Sequence, residues 1–259
     1  MELCIDVGNT TIGFGFYLKD KLIKKFSIAS SLDKLADEYY ASLKLIIEEN
    51  KINPLDVDEI MFASVVPSLN EILLNAVARL FINAHVHELT SDSPHEIKMD
   101  IDNPKELGSD LIADLVGAKN NYPLPLLIID LGTATKLLVL TKEGVFTTAL
   151  IMPGVEVSAK SLFSKAALLP EVDLKVTSNV LDSKNTINCI KHGIIYGHLE
   201  SINGLASRIE EALAYKLNKV VTGGNAFYFR DMFTKDYKFD ENLVLNGEHI
   251  ILKRINNQK

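Results

Sequence analysis

Short apolar runs separated by polar turns open the chain, and their length and spacing predict strands before any helix. Leu3 to Val7 is β-prone, Gly8-Asn9-Thr10 has turn chemistry, and an apolar run from Ile12 to Leu18 follows, a pattern that predicts a hairpin. Asp20-Lys21 gives another turn into Leu22 to Ile28. The period then changes. Leu35, Tyr39, Leu43 and Ile46 recur at helical spacing, with Ser31 or Asp33 in place to cap the helix. Ile60 to Val65 reads as a buried strand, followed by a helix from about Ser68 to Phe81 and a strand near Val86 to Leu89. The first half is expected to be mixed α/β.

A polar stretch from Ser91 to Lys105 precedes a helix expected over Leu107 to Asn120, which Pro123 and Pro125 stop. Beyond these prolines the opening pattern returns. Leu126 to Asp130 is an apolar strand ending in Asp, Gly132-Thr133-Ala134-Thr135 turns the chain, and Leu137 to Leu140 resumes an apolar run. Asp6-Val-Gly-Asn-Thr and Asp130-Leu-Gly-Thr-Ala-Thr therefore read as a weak internal duplication, dividing the chain into lobes at residues 1–118 and 119–259. Helical patterns follow from Val155 to Leu168 and from Asn185 to Tyr215, the second interrupted by Gly193, Gly197 and Gly204, which suggest close helix packing or a ligand. A short strand from Lys219 to Val221 meets Thr222-Gly223-Gly224, then a helix through Phe233 and a last one near Asn246 to Arg254.

Composition narrows the function classes. With 47% hydrophobic and 24% charged residues, the 259-residue chain can bury a substantial core. Its net charge of -7 opposes unspecific binding to nucleic acid or anionic lipid, which needs clustered Lys and Arg. Only Cys4 and Cys189 occur, both among apolar neighbours, so reduced, buried thiols are expected rather than a disulfide framework or a cysteine zinc site. Glu2 and Asp6 stand where a secretion signal would be basic and apolar, and no run reaches membrane-spanning length, so the expected compartment is the cytoplasm.

An Asp at the end of a strand, followed by Gly and hydroxyl residues in a tight hairpin, can hold phosphate through turn N–H groups and hydroxyls while the carboxylate holds a metal-bound water. One copy is most often an ordinary turn; two copies, one per half, fit a pair of hairpins that grip one nucleotide. Thr222-Gly223-Gly224, between a strand and a helix, offers small residues where a flat ring can lie against backbone. In this order it resembles the adenosine loop of the actin, sugar-kinase and heat-shock chaperone superfamily.

Asn103-Pro104-Lys-Glu106-Leu-Gly108-Ser-Asp110 resembles a signature of the type III pantothenate kinases, as do Ile151-Met-Pro153-Gly154, Ser161-Leu162, Ala166-Ala167 with Pro170, Asn185-Thr186, Gly193 and Gly197. The resemblance implies duplicated actin-like (ribonuclease H-like) α/β lobes with mixed sheets and an interlobe nucleotide cleft. It also implies ATP-dependent phosphorylation of pantothenate by a homodimer that uses ATP, Mg²⁺ and a monovalent cation, K⁺ or NH4⁺. Asp110 would be the catalytic carboxylate that orients the acceptor hydroxyl and takes its proton, with Gly108 beside it. Asp6 and Asp130 would place the metal. Gly8, Asn9, Thr10, Gly132 and Thr133 would contact phosphates, Gly223 and Gly224 would lie near adenine, and Thr186 would contact pantothenate across a dimer interface.

Leu111 stands where that family carries Arg, and Ile101 where it carries an aromatic residue, so two acceptor contacts differ. A member that binds without catalysis and a kinase for another small alcohol are the alternatives these positions leave open. Lys136, in a strand, is expected on a solvated face. His85 and His87 share a strand face and are likewise expected to be solvated rather than metal ligands.

Overall fold

The computed structural model describes residues 1–258. It forms two compact units, the first made of residues 1–97, 102–120 and 242 onward, the second of residues 98–101 and 121–241.

In unit 1 the predicted hairpin joins β1 (Glu2–Val7) to β2 (Thr11–Leu18), and β3 (Lys21–Ala29) pairs antiparallel with β2. On the other side of β1, β4 (Glu59–Ser64) and β5 (His85–Glu88) run parallel, giving the order β3-β2-β1-β4-β5. The crossovers are α1 (Ala36–Glu49) and α2 (Pro67–Leu80). Their apolar stripes, Tyr39, Leu43 and Ile47 on α1 and Leu69, Leu73, Ala76, Val77 and Leu80 on α2, bury the alternate residues Leu3, Ile5 and Val7 of β1. Neither Ser31 nor Asp33 caps α1. Leu35 occupies that position without a side-chain bond to the helix, and its N–H donates to the Glu38 carboxylate at 2.8 Å. His87 is not solvated as expected: its Nε2 lies 2.7 Å from Glu59 Oε2 on the neighbouring strand. After the two-residue β6 (Lys98–Met99), α3 (Ser109–Asn121) returns to unit 1.

Unit 2 opens with the second predicted hairpin, β7 (Leu126–Leu131) and β8 (Ala134–Leu140), to which β9 (Val145–Pro153) pairs antiparallel. Parallel strands β10 (Asn218–Thr222) and β11 (Tyr237–Phe239) extend the far side of β7, while β6 pairs with β9, giving β11-β10-β7-β8-β9-β6. Apart from β6, strand order and direction repeat those of unit 1, so the duplication read from two Asp-Gly turns extends to the whole sheet. Helices α4 (Val155–Lys165) and α5 (Thr186–Leu213) cover Leu127, Ile129, Leu131, Leu137 and Val139.

Gly193, Gly197 and Gly204 do not serve close packing within this chain, because a Cβ at any of them would meet nothing within 4 Å. Cys189 is exposed, against the expectation of a buried thiol. The helix expected after Gly224 is a short 3-10 turn, Gly224–Tyr228.

The chain ends in α6 (Leu243–Asn256), which packs on β1, β2 and β4 of unit 1, whereas the sequence-based division carries the second lobe to residue 259. A side chain at Gly247 would land on the Ala113 carbonyl, and one at Gly117 on that of Leu243, so the α3–α6 crossing is built on backbone contact. The His249 ring stacks on Tyr17 at 3.9 Å and its Nε2 meets Glu2 Oε2 at 2.6 Å.

Candidate functional site

The β1–β2 turn of unit 1 is held from both sides. The Gly8 N–H donates to the Thr11 carbonyl at 3.0 Å, Ser30 donates its hydroxyl to the Gly8 carbonyl at 2.6 Å, and the Ser30 N–H donates to the Thr10 carbonyl at 3.0 Å. Asn9 and Thr10 are exposed at the tip. Asp6 sits one residue before the end of β1. Asp110 occupies the first turn of α3, and the Ser109 hydroxyl, donating to the Ser64 carbonyl at 3.1 Å, ties that helix start to the end of β4, the parallel neighbour of β1. A Cβ at Gly108 would stand 2.6 Å from Asp110 Oδ1, so glycine leaves that oxygen room.

Two further acids lie in this region, and neither is among the residues the sequence singles out. Asp114 on α3 and Glu248 on α6 are both fully buried. The Glu248 carboxyl is pushed well above the ordinary glutamate range, first by burial and then by the charges of Asp6, Asp114 and Asp110. Its two oxygens have no hydrogen-bond partner. Three carboxylates thus act on the buried Glu248 inside unit 1. A sequence signal existed: each of these acids interrupts an otherwise apolar helical face, Leu111 to Val116 on one and Leu243 to Leu252 on the other.

In unit 2 the β7–β8 hairpin, the end of β9 and the loop after β10 converge on a glycine-lined cradle. The Gly154 N–H donates to the Thr133 carbonyl at 3.0 Å, and a side chain at Gly154 would strike the Gly132 and Thr133 carbonyls. The Asn225 amide donates to the Gly132 carbonyl at 3.1 Å. Gly223 has a φ of 92°, and a Cβ on it would collide with Asp130 Oδ1 and the Leu131 backbone. Gly224, by contrast, faces open space.

The structure overturns the reading of Lys136 as a solvated strand charge. Its Nζ donates to Asp130 Oδ2 at 2.7 Å, and the two side chains are 16% and 10% exposed. Thr186, the first residue of α5, lines a different concavity, an open groove of about 650 Å³ shared with Leu162, Leu169, Lys184, Cys189 and Gly193. The sequence motifs name both hairpins, Asp110 and Gly154, but do not single out Asn225, Asp114, Glu248 or the pairing of Lys136.

Among the described residues no group of three or more His, Cys, Asp or Glu side chains is placed to hold a metal ion. A hard divalent ion in unit 1 would therefore take one or two carboxylates and complete its shell with phosphate and water. Asp130, already paired with an ammonium, is a poorer ligand.

Comparison with known proteins agrees with the sequence motifs. The profile of the type III pantothenate kinase family matches residues 2–208. A type III pantothenate kinase of Kosmotoga olearia is 34% identical over 98% of this chain and 97% of its own length. One from Acholeplasma laidlawii is 35% identical over 98% and 99%. Among solved structures, a Sinorhizobium meliloti protein assigned provisionally as a 2-dehydro-3-deoxygalactonokinase superposes with a TM-score of 0.60 at 12% identity, covering 98% of this chain and 97% of that one. That likeness concerns the fold alone, which is the duplicated actin-like one. With most of its length matched by the family profile and 98% of it aligned to each of these relatives, the chain belongs to the type III pantothenate kinase family.

Proposed function

We propose that this chain is a cytoplasmic pantothenate kinase that moves the γ-phosphoryl group of ATP to the primary hydroxyl of pantothenate, giving 4'-phosphopantothenate in the first step of coenzyme A biosynthesis. The observation that carries this reading is the segment from Asn103 to Asp110, which sets the Asp110 carboxylate at a helix start tied to β4, the parallel neighbour of the strand that carries Asp6. Asp110 orients the acceptor hydroxyl and takes its proton as the new O–P bond forms and the bond from phosphorus to the ADP oxygen breaks. Gly108 leaves space beside it for the acceptor.

In unit 1, Asn9 and Thr10 offer polar groups to phosphate oxygens on a turn that the Gly8 N–H closes onto the Thr11 carbonyl; in unit 2, Thr133 does the same on a turn that the Gly132 N–H closes onto the Ala134 carbonyl. Gly223 and Gly224 let adenine lie against backbone. Mg²⁺, when bound, neutralises phosphate charge, and Asp6 is the residue that would hold it. K⁺ or NH4⁺ is the monovalent ion that the family resemblance adds.

A homodimer belongs to the same proposal. Gly193, Gly197 and Gly204 leave the exposed side of α5 open, and Leu162 in the Thr186 groove and Ile187 next to Thr186 are exposed apolar side chains that a second copy would cover. Thr186 would then contact pantothenate from that interface. A coupled ADP-release assay with ATP, Mg²⁺ and K⁺ tests the reading: turnover should appear on adding pantothenate, and pantothenate-independent release alone would refute it.

A further inference from the structure

We infer that Lys136 is the resident cation of Asp130, so that the phosphate hairpin of unit 2 works with no metal ion, divalent or monovalent, on that carboxylate. The inference rests on the nucleotide-binding reading above and adds to it which charge serves this hairpin.

Asp130 and Lys136 are directly opposite each other in the β7–β8 ladder and so project on the same face. The neighbouring pairs Ile129–Leu137 and Ile128–Leu138 are fully buried, which fixes the register and leaves the ammonium little freedom to leave the carboxylate. One oxygen of Asp130 is already engaged and the other lies against Gly223. Oδ2 accepts from Lys136 at 2.7 Å, and Oδ1 lies so close to Gly223 that any side chain there would strike it. A metal ion bound directly would have to displace the ammonium from a site where the two side chains are 16% and 10% exposed.

The charge balance leads to the same result. A bare Asp130 beside Gly132 and Thr133 would repel the polyphosphate that the hairpin amides attract, and a cation would have to be recruited to offset it. With Lys136 in place the pair is neutral, and the hairpin offers its N–H groups to an anion without that penalty. In unit 1 the buried Glu248 carboxyl has no hydrogen-bond partner, and burial together with its acidic neighbours pushes it well above the ordinary glutamate range. The two halves of the duplication thus handle their buried acids differently.

The test is calorimetric titration of the intact protein with ADP, in a chelator with tetramethylammonium as the only salt cation, then with K⁺, then with Mg²⁺. Wild type should bind ADP in tetramethylammonium, with affinity changing less than about threefold on exchange for K⁺. Lys136→Met should bind about tenfold or more weakly than wild type in tetramethylammonium and recover when K⁺ or Mg²⁺ is supplied. Because Lys136→Met leaves a buried carboxylate unpaired and can unfold, the double variant Asp130→Asn with Lys136→Met is measured beside it; this neutral pair should bind ADP within about threefold of wild type without added metal. A wild type that needs K⁺ or Mg²⁺ at this step, a Lys136→Met protein unchanged in tetramethylammonium, or a double variant as weak as the folded single variant would overturn the inference. ADP binding by wild type under no condition would instead remove the nucleotide reading on which it rests.

Discussion

Asp110→Asn keeps the size of the side chain while removing its charge and its ability to accept a proton. It should lower kcat by about 10²–10⁴-fold, the usual contribution of a positioned base, and leave the ADP dissociation constant nearly unchanged. Steady-state kinetics with calorimetry on the same preparation separates the two. The neighbouring position behaves differently from what sequence comparison suggests. Leu111, where the family carries Arg, is only 7% exposed in α3, so Leu111→Arg should first reduce stability by placing a charge among apolar residues, and its effect is read as a lower Tm. Gly223→Ala makes the third case. Its φ of 92° and the contact its Cβ would make with Asp130 Oδ1 mean that even a methyl group distorts the cradle, and ADP affinity should fall about tenfold or more.

The crossing of α3 and α6 shows what an element contributes beyond its own sequence. Glu248 is buried there with Asp114 on α3 and Asp6 on β1 as electrostatic neighbours, and burial and these charges push its carboxyl well above the ordinary glutamate range. The unfolded chain loses this proton near the ordinary glutamate value of about 4.3, whereas the folded chain holds it to higher pH. The folded state therefore binds more protons over that interval, and stability falls as pH rises from about 4.3 toward the raised folded-state value. Glu248→Leu removes the decline. In chelator it should be more stable than wild type at pH near 7.5 by about 1–3 kcal/mol, with the difference shrinking near pH 4, as differential scanning fluorimetry would register. Equal stability at both pH values would refute this account of Glu248.

The hairpins at Gly8 and Gly132 were legible because turn chemistry and apolar runs are local signals. Strands β6, β9 and β11 were not, since two are three residues or shorter and β9, Val145–Pro153, alternates partly exposed positions that carry no clear period. The pairing of Lys136 was hidden for a related reason. Register across a hairpin places it opposite Asp130, and only the closed ladder shows that the face is covered.

At the scale of the whole molecule, the duplication is the plainest feature of the fold, yet its boundaries follow contacts between residues far apart in the chain. The last helix joins unit 1 because Gly247 and Gly117 allow backbone approach, a property of two distant positions together. The exposed glycine side of α5 predicts a dimer, which sedimentation velocity at micromolar concentration would report as a species of twice the chain mass; a monomer alone would remove the role given to Thr186. The central claim is the transfer of one phosphoryl group to pantothenate with Asp110 as proton acceptor. Mass spectrometry of the products after incubation with ATP, Mg²⁺, K⁺ and pantothenate tests it most directly. Wild type should convert pantothenate to a species heavier by one phosphoryl group, with ADP formed in equal amount, and Asp110→Asn should form little of either. ATP bound or hydrolysed with pantothenate unmodified, or full conversion by Asp110→Asn, would contradict the account.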